Sequence, residues 1–262
     1  MEHVTPMAGI ATLMGGFYLY HSQRVPVTNR LRFNVVSPHW EEQLGKVLFK
    51  QQLEEYGESL LSESSPEHTT VRRVLDRLIL CTSLPGVDWD VRVVDTRERS
   101  AFVLPGGKVF VHRGVLDLCT CDDELAVILS HEIAHIIAHH SSESVSRRLI
   151  QIPLYLLSCL ASGIKPDLVE LAVDVAFWLP GSRAQEREAD YMGLLFMAES
   201  GYDPTAALDL WTRWEQLDGD GLREPDFMRT HPRHHNRLRQ ISEWLFDARR
   251  GRLLGSRHSK LW

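Results

Sequence analysis

The stretch that most limits the fold is residues 122–140, DDELAVILSHEIAHIIAHH. Between Ala126 and Ala138 every residue is apolar except Ser130, His131, Glu132 and His135. A helix that is apolar on nearly all sides belongs inside a protein. Imidazoles and a carboxylate carried inside with it are costly unless each finds a partner. A metal ion is such a partner. His131 and His135 are i and i+4, so they stack on one helical face, where two imidazoles can grip one ion. Glu132, beside the first, can reach a water at the same ion.

The pattern is H-E-x-x-H, the signature of zinc metallopeptidases. With 13 histidines in the chain a bare match can arise by chance. The bland alternative is a structural helix with satisfied core histidines, and the apolar helical setting argues against it. A catalytic zinc takes three protein ligands and leaves one position open. The position six residues after His135 is Ser141, not histidine, which excludes the metzincin pattern. His139 lies one turn further on the same face, but a straight helix carries it away from the metal, so it reads as a surface or supporting residue. The other source is a glutamate on residues 182–197, SRAQEREADYMGLLFM. On a 3.6-residue period Glu186 and Asp190 share a face with Gly193, while Glu188 points about 200° away. One face can then supply a ligand at Glu186 and, at Asp190, an acceptor that fixes a ligand histidine's tautomer. Gly193 would let the metal-binding helix come close. Spacing favours Glu186 and leaves Glu188 open, and a solvated acidic face is the plain alternative.

Length and composition add bounds. A chain of 262 residues can bury a sizeable core, and 44% hydrophobic with 24% charged residues is ordinary for a globular protein. Four cysteines, none in C-x-x-C, do not make a disulfide scaffold. Net charge is -6, although residues 229–262 carry nine Lys or Arg against two acids. That tail can contact a lipid surface. Without stacking aromatics or a DNA-binding motif, nucleic acid is not an expected partner.

Residues 4–20, VTPMAGIATLMGGFYLY, carry no charge and are of minimal length for a membrane-spanning helix. They lack the basic start and small-residue cleavage site of a secretory signal, and they do not read as an Arg-rich transit peptide. A membrane anchor, or the end of one, is expected there. Residues 21–38 read as a linker. Ser37-Pro38 opens a helix running to about Ser62, with Leu44, Val47, Leu48 and Leu53 as its apolar face. Pro66 opens a second helix, with Val71, Val74, Leu75, Leu78 and Ile79 as its stripe. Residues 90–95 read as a strand and residues 100–112 as two short strands around Pro105-Gly106-Gly107. A sheet edge beside a metal helix can pair with an extended peptide whatever its sequence. Residues 149–164 are uncharged but broken by Pro153 and Gly163. They read as part of a buried or membrane-contacting helical pair continuing through Leu168 to Leu179, with burial favoured over spanning. Residues 201–216 are helical, with Leu208, Leu210, Trp211 and Trp214 packing. His231, His234 and His235 lack the spacing of a second metal site.

HEIAH, followed by SRAQEREAD, Thr230-His231-Pro232 and Arg237, resembles the HtpX-like and CAAX-prenyl-protease-like zinc metallopeptidases, a gluzincin family. The resemblance implies one zinc held by His131, His135 and Glu186. It implies Glu132 as the catalytic acid–base and Asp190 behind a ligand. It puts His231 near the metal as an oxyanion donor, with Arg237 anchoring the local fold or contacting an acid. The substrate edge would be Ala101, Phe102, Val103 and Leu104. Family members usually carry Asn where this chain has Ser100, and often Arg where it has His139. Residues 15–38 resemble the segment that joins the membrane anchor to the protease domain in the family's mitochondrial inner-membrane branch. That branch implies membrane-associated or misfolded protein substrates, a lipid membrane and a homo-oligomer.

The expected fold is α+β and mostly helical, with a small antiparallel sheet beside the H-E-x-x-H helix. The expected division is residues 1–37 as anchor remnant and linker, 38–248 as metallopeptidase domain and 249–262 as basic tail. The rival classes are a zinc-dependent scaffold without turnover, which would have no use for Glu132, a membrane-docking module, and a protease of the same family in another compartment.

Overall fold

The computed structural model describes residues 4–82, 87–162, 179–219, 231 and 236–254. Among these, helix α1 (Val4–Tyr20) leads into a hairpin of β1 (Ser22–Arg24) and β2 (Leu31–Phe33). Helices α2 (Pro38–Tyr56) and α3 (Pro66–Ile79) follow, then strands β3 (Asp90–Val94), β4 (Ala101–Leu104) and β5 (Lys108–His112). A short α4 (Arg113–Leu116) precedes α5 (Asp122–Ile137) and α6 (His140–Ser162). The remaining described helices are α7 (Leu179–Glu199), α8 (Ala206–Gly219) and α9 (Arg237–Leu254). The architecture is the expected mostly helical α+β class.

Local chemistry accounts for the boundaries. The Ser37 and Ser65 side chains cap α2 and α3, accepting from the N–H of Trp40 and of His68, and a proline opens each helix. Helix α3 buries Val71, Val74, Leu75 and Leu78 completely, as its stripe predicts. Helix α2 departs from expectation. It stops at Tyr56, because Gly57 takes a positive φ of 44°, and it buries Glu41 and Gly45 while Val47 stays exposed. Its contact with the sheet is made through Gly45, where an added Cβ would collide with the Pro105 carbonyl, and through Phe49 and Tyr56 against Phe110.

The three-stranded sheet has the order β3-β5-β4. The hairpin β4–β5 is antiparallel, turned by Gly106 and Gly107 at φ 82° and 78°. Strand β3 adds to β5 in parallel, so the sheet is mixed rather than purely antiparallel. Strand β5 is buried along its length and β4 forms an edge. His112 N–H donates to the Ser100 carbonyl at 3.0 Å. By alternation along an antiparallel ladder, Phe102 and Leu104 turn their backbone groups to β5, while Ala101 and Val103 turn theirs to the free edge.

Helix α5 is the centre of the core. It is buried from Glu124 to Ala134 and again at Ile136. Its first turn is fixed by Glu124, which accepts from Thr120 N–H at 2.7 Å and pairs with Arg213 at 2.6 Å. The 122–140 stretch is not one helix. It breaks after Ala138, His139 takes a φ of 48°, and α6 starts at His140. His139 therefore turns away to Glu41, at 2.6 Å. Helix α7 lies against α5, with α8 and α9 behind. Trp211 and Trp214 of α8 are buried edge-to-face, with ring centroids 5.1 Å apart.

Two further expectations change. Residues 22–35 are not a loose linker. Val25 is fully buried, and Phe33, Asn34 and the side chain of Arg32 are nearly so. On α6, Leu149, Ile150 and Ile152 are exposed instead of buried. The pairing of this helix with residues 168–178 lies outside the described residues. Helix α1 forms as expected, and Tyr18 stacks on Phe33. No helix among the described residues is long and apolar enough to cross a membrane.

Candidate metal centre

His131 and His135, one turn apart on α5, bring their Nε2 atoms within 3.0 Å of each other. Glu186 arrives from α7. Its carboxylate is 3.3 Å from His131 Nε2 and 3.6 Å from His135 Nε2. His231 Nδ1 completes the group, 3.2 Å from both His131 Nε2 and Glu186 Oε2. All four ligand atoms lie within 4.8 Å of one another. A tetrahedral zinc with bonds of about 2.0–2.1 Å spaces its ligands roughly 3.3–3.4 Å apart. The separations within the His131–His135–Glu186 triangle straddle that value, so the donor set fits such an ion. The chemistry agrees. Two imidazole nitrogens facing each other at 3.0 Å can share only one proton, and a cation satisfies both lone pairs.

The close packing of α5 on α7 has a local cause. A Cβ at Gly193 would meet Ser130 Oγ at 3.1 Å and the His131 backbone nitrogen at 3.2 Å, so the bare Cα lets the helices approach as the sequence suggests. Behind His131, Asp190 Oδ1 accepts from Nδ1 at 2.9 Å, leaving Nε2 to face the cluster. The same oxygen accepts from Arg237 Nη2 at 2.6 Å. The Arg237 guanidinium lies 3.6 Å above the Trp211 ring. Glu132 points to the other side. Its Oε2 accepts from the Val103 N–H on the free edge of β4 at 3.3 Å, and its Oε1 is 3.2 Å from His231 Nε2.

Without a metal, burial pulls the His131 imidazole down, but its bonds to Asp190 and Glu186 outweigh this and raise it to about 9. Burial, then the charge on His131, hold His135 well below the ordinary range. Burial alone would raise Glu186, but the bonds from His131 and His231 keep it well below the usual carboxylate range. Burial raises Glu132. The centre thus holds one cationic imidazole beside a carboxylate, a charge pattern that a metal cation can replace.

Glu188, left open by spacing, sits elsewhere. It is as buried as Glu186, so the acids of α7 are not a solvated face. Its carboxylate accepts from His140 Nε2 at 2.9 Å, from the Thr28 hydroxyl, and from Arg30 at 2.7 Å. Arg30 also grips Glu143, at 2.8 and 2.6 Å. Burial would raise Glu188, but its bonds to His140, Arg30 and Thr28 bring it down to about 2. Reading the sequence missed Thr28, Arg30, His140 and Glu143. No short-range pattern marks them, because Arg30 reaches acids more than a hundred residues away.

A triangle of two histidines from one helix and a glutamate from the next, beside an open strand edge, is the arrangement of a metallopeptidase. The profile of peptidase family M48 matches residues 65–245, which contain all of these ligand candidates.

The chain belongs to peptidase family M48.

It is 35% identical over 254 residues to the mitochondrial metalloendopeptidase OMA1 of Schizosaccharomyces pombe, covering 96% of this chain and 75% of that protein. Against mitochondrial metalloendopeptidase OMA1 of Saccharomyces cerevisiae it is 31% identical, covering 91% and 74%. Metalloendopeptidase OMA1, mitochondrial, of Homo sapiens is 30% identical, with 88% of this chain and 47% of the human protein covered. This M48 chain is a metal-dependent endopeptidase acting on proteins. The names of these relatives also bear out the expected mitochondrial location.

Proposed function

We propose that this M48 chain is a zinc endopeptidase of the mitochondrial inner membrane, in which His131, His135 and Glu186 hold the metal. The observation that carries the reading is their convergence, at 3.0 to 3.6 Å, next to Glu132 and the free edge of β4. Zinc, when bound, supplies the Lewis acidity that makes a water nucleophilic near neutral pH and polarises a carbonyl. Glu132 takes a proton from the attacking water and later gives one to the leaving amine. Its raised pKa suits both tasks. His231, with Nε2 3.2 Å from Glu132, donates to the developing oxyanion. An extended substrate lies along Ala101–Leu104. It takes backbone bonds from Ala101 and Val103, while Phe102 stays stacked on Phe110.

Backbone recognition makes cleavage tolerant of sequence, which fits unfolded or membrane-associated proteins as substrates. Helix α1, exposed at Leu13, Met14, Phe17 and Leu19, is the element that meets the lipid, with the basic tail as a second contact. A homo-oligomer on that surface belongs to the same reading, as does residues 38–248 supplying the metal ligands and catalytic groups. The test pairs zinc content with cleavage of an unfolded protein. Wild type should hold one zinc and cut. Glu132→Gln should keep zinc and lose cleavage, and Glu186→Gln should lose zinc. Zinc without cleavage in the wild type, with lipid present, would favour the scaffold instead.

A further inference from the structure

The hairpin at residues 22–35 lies outside the part of the chain that matches the family, residues 65–245. It nevertheless ends at the metal cluster. His135 faces the cluster with Nε2, so its Nδ1 carries the proton. That Nδ1 is 2.7 Å from His140 Nδ1, which must then be the acceptor. His140 is thereby fixed as the tautomer with hydrogen on Nε2, and it donates to Glu188 Oε2 at 2.9 Å. Arg30 closes the chain with Nε and Nη2 on that same oxygen, at 2.9 and 2.7 Å. The two imidazoles and the carboxylate are buried or nearly so. Such a chain has one direction: Arg30 donates to the carboxylate oxygen at its far end, which accepts from His140 and so orients each proton toward itself.

We propose that Arg30, acting through Glu188 and His140, positions His135 as a metal ligand, so that the hairpin is a working part of the metal centre. The inference rests on His135 being a ligand, as read above. Arg30 holds the Glu188 carboxylate in place with two hydrogen bonds to Oε2, Glu188 sets the His140 tautomer, and His140 holds the His135 ring. Thr28 adds a hydroxyl to the same carboxylate. A neutral amide at position 188 could turn its NH2 toward His140 and allow the opposite tautomer, which would leave the His135 proton without an acceptor. Arg30, Glu188 and His140 are positioning residues and touch no reacting atom.

The experiment uses the full chain. Zinc affinity is measured by competition with a chromophoric chelator, and the cobalt-substituted protein is read by its visible absorption. The proteins are wild type, Glu188→Gln, Arg30→Met and the double variant. Groups that orient metal-ligating histidines are worth about 10- to 100-fold in metal affinity. Each single variant should weaken zinc by that factor and shift the cobalt bands. The double variant should be no more than about threefold weaker than the worse single one, because both act along one path. With zinc saturating, kcat should fall while KM stays near wild type. Zinc affinity within twofold of wild type in both single variants, with unchanged cobalt bands, overturns the inference even if thermal stability falls. Should Arg30→Met not fold, Arg30→Lys keeps the charge but loses the fork. Intermediate zinc affinity then supports the inference, and wild-type affinity overturns it. A wild-type chain that binds no zinc overturns the metal site and this inference together, whereas zinc in the wild type with unaffected variants overturns the inference alone.

Discussion

The buried pair behind His131 offers a sharp test. Asp190 and Arg237 are 6% and 3% exposed, and they meet at 2.6 Å. Asp190→Asn keeps the shape and removes the charge. The guanidinium is then buried without a counter-ion. Among the described residues its Nε and Nη1 have no hydrogen-bond partner, so little else holds it beyond the Trp211 ring. Removing one partner of a buried pair costs about 3–5 kcal/mol. At roughly 2–4 °C per kcal/mol for a domain of this size, Tm should fall by about 6–20 °C. Arg237→Met should cost less, since Asp190 keeps its bond to His131 Nδ1 while losing the guanidinium, and the cation–π contact is also removed. The double variant buries no lone charge and should recover at least half of the summed loss. The assay is urea unfolding of all four proteins with zinc removed by chelator, because bound metal adds to apparent stability by an amount that changes with each variant's affinity. A loss under about 1 kcal/mol for Asp190→Asn, or additive losses in the double variant, would falsify the account of a charge pair closed off from water.

Three further outcomes follow from the same geometry. Gly193→Ala should be nearly neutral, because a helix gain of about 1 kcal/mol offsets contacts of 3.1–3.3 Å. Gly193→Leu should push α7 off α5, cost roughly 1–3 kcal/mol and release zinc, as metal analysis of the purified variant would show. Val103→Pro should fold, since that N–H faces the free edge and not β5; it removes the bond to Glu132 Oε2, which should lower kcat, and one backbone bond to substrate worth about 1.4 kcal/mol, which should raise KM about tenfold; an unchanged KM would move the substrate off β4. Glu188, held at about 2 against an ordinary 4.5, contributes stability that is present above pH 4.5 and lost as pH falls toward 2. The stability difference between wild type and Glu188→Gln should therefore shrink across that window, and a constant difference from pH 6 to pH 3 would contradict the ion pair.

What could be read in the sequence was whatever repeats at short range. The stripe of α3 and the apolar wall of α5 show themselves because burial there is periodic or complete. The hairpin did not, because strands of three residues carry no period and the side chains it sends inward mix Val25 and Phe33 with Arg32 and Asn34. Arg32 is nearly buried and caps the end of α5 through the Ala138 carbonyl, yet no hydropathy pattern announces a buried guanidinium. The exposed leucine and isoleucines of α6 misled in the other direction, since apolarity alone reports what could be buried. The choice between Glu186 and Glu188 stayed open for a related reason: both are buried, so exposure does not separate them, whereas in the structure Glu186 faces the two Nε2 atoms and Glu188 meets His140 after the break at His139.

That break ties the α7 segment EREAD to its partners. On one helix, Glu186 and Asp190 differ by about 40° and Glu188 faces about 200° away from each. A continuous α5 would have offered partners to the first face alone. By ending at Ile137 and restarting at His140, the chain carries a second imidazole around to the other side of α7, where Glu188 meets it. Glu186 thus faces both Nε2 atoms, Asp190 stands behind His131, and Glu188 stands behind His135 through His140. Each imidazole is fixed by its own carboxylate and each carboxylate by its own arginine, one from α9 and one from the hairpin. Two arginines from distant parts of the chain therefore converge on a single turn and a half of α7. That turn can hold its geometry only while the hairpin and α9 are both docked.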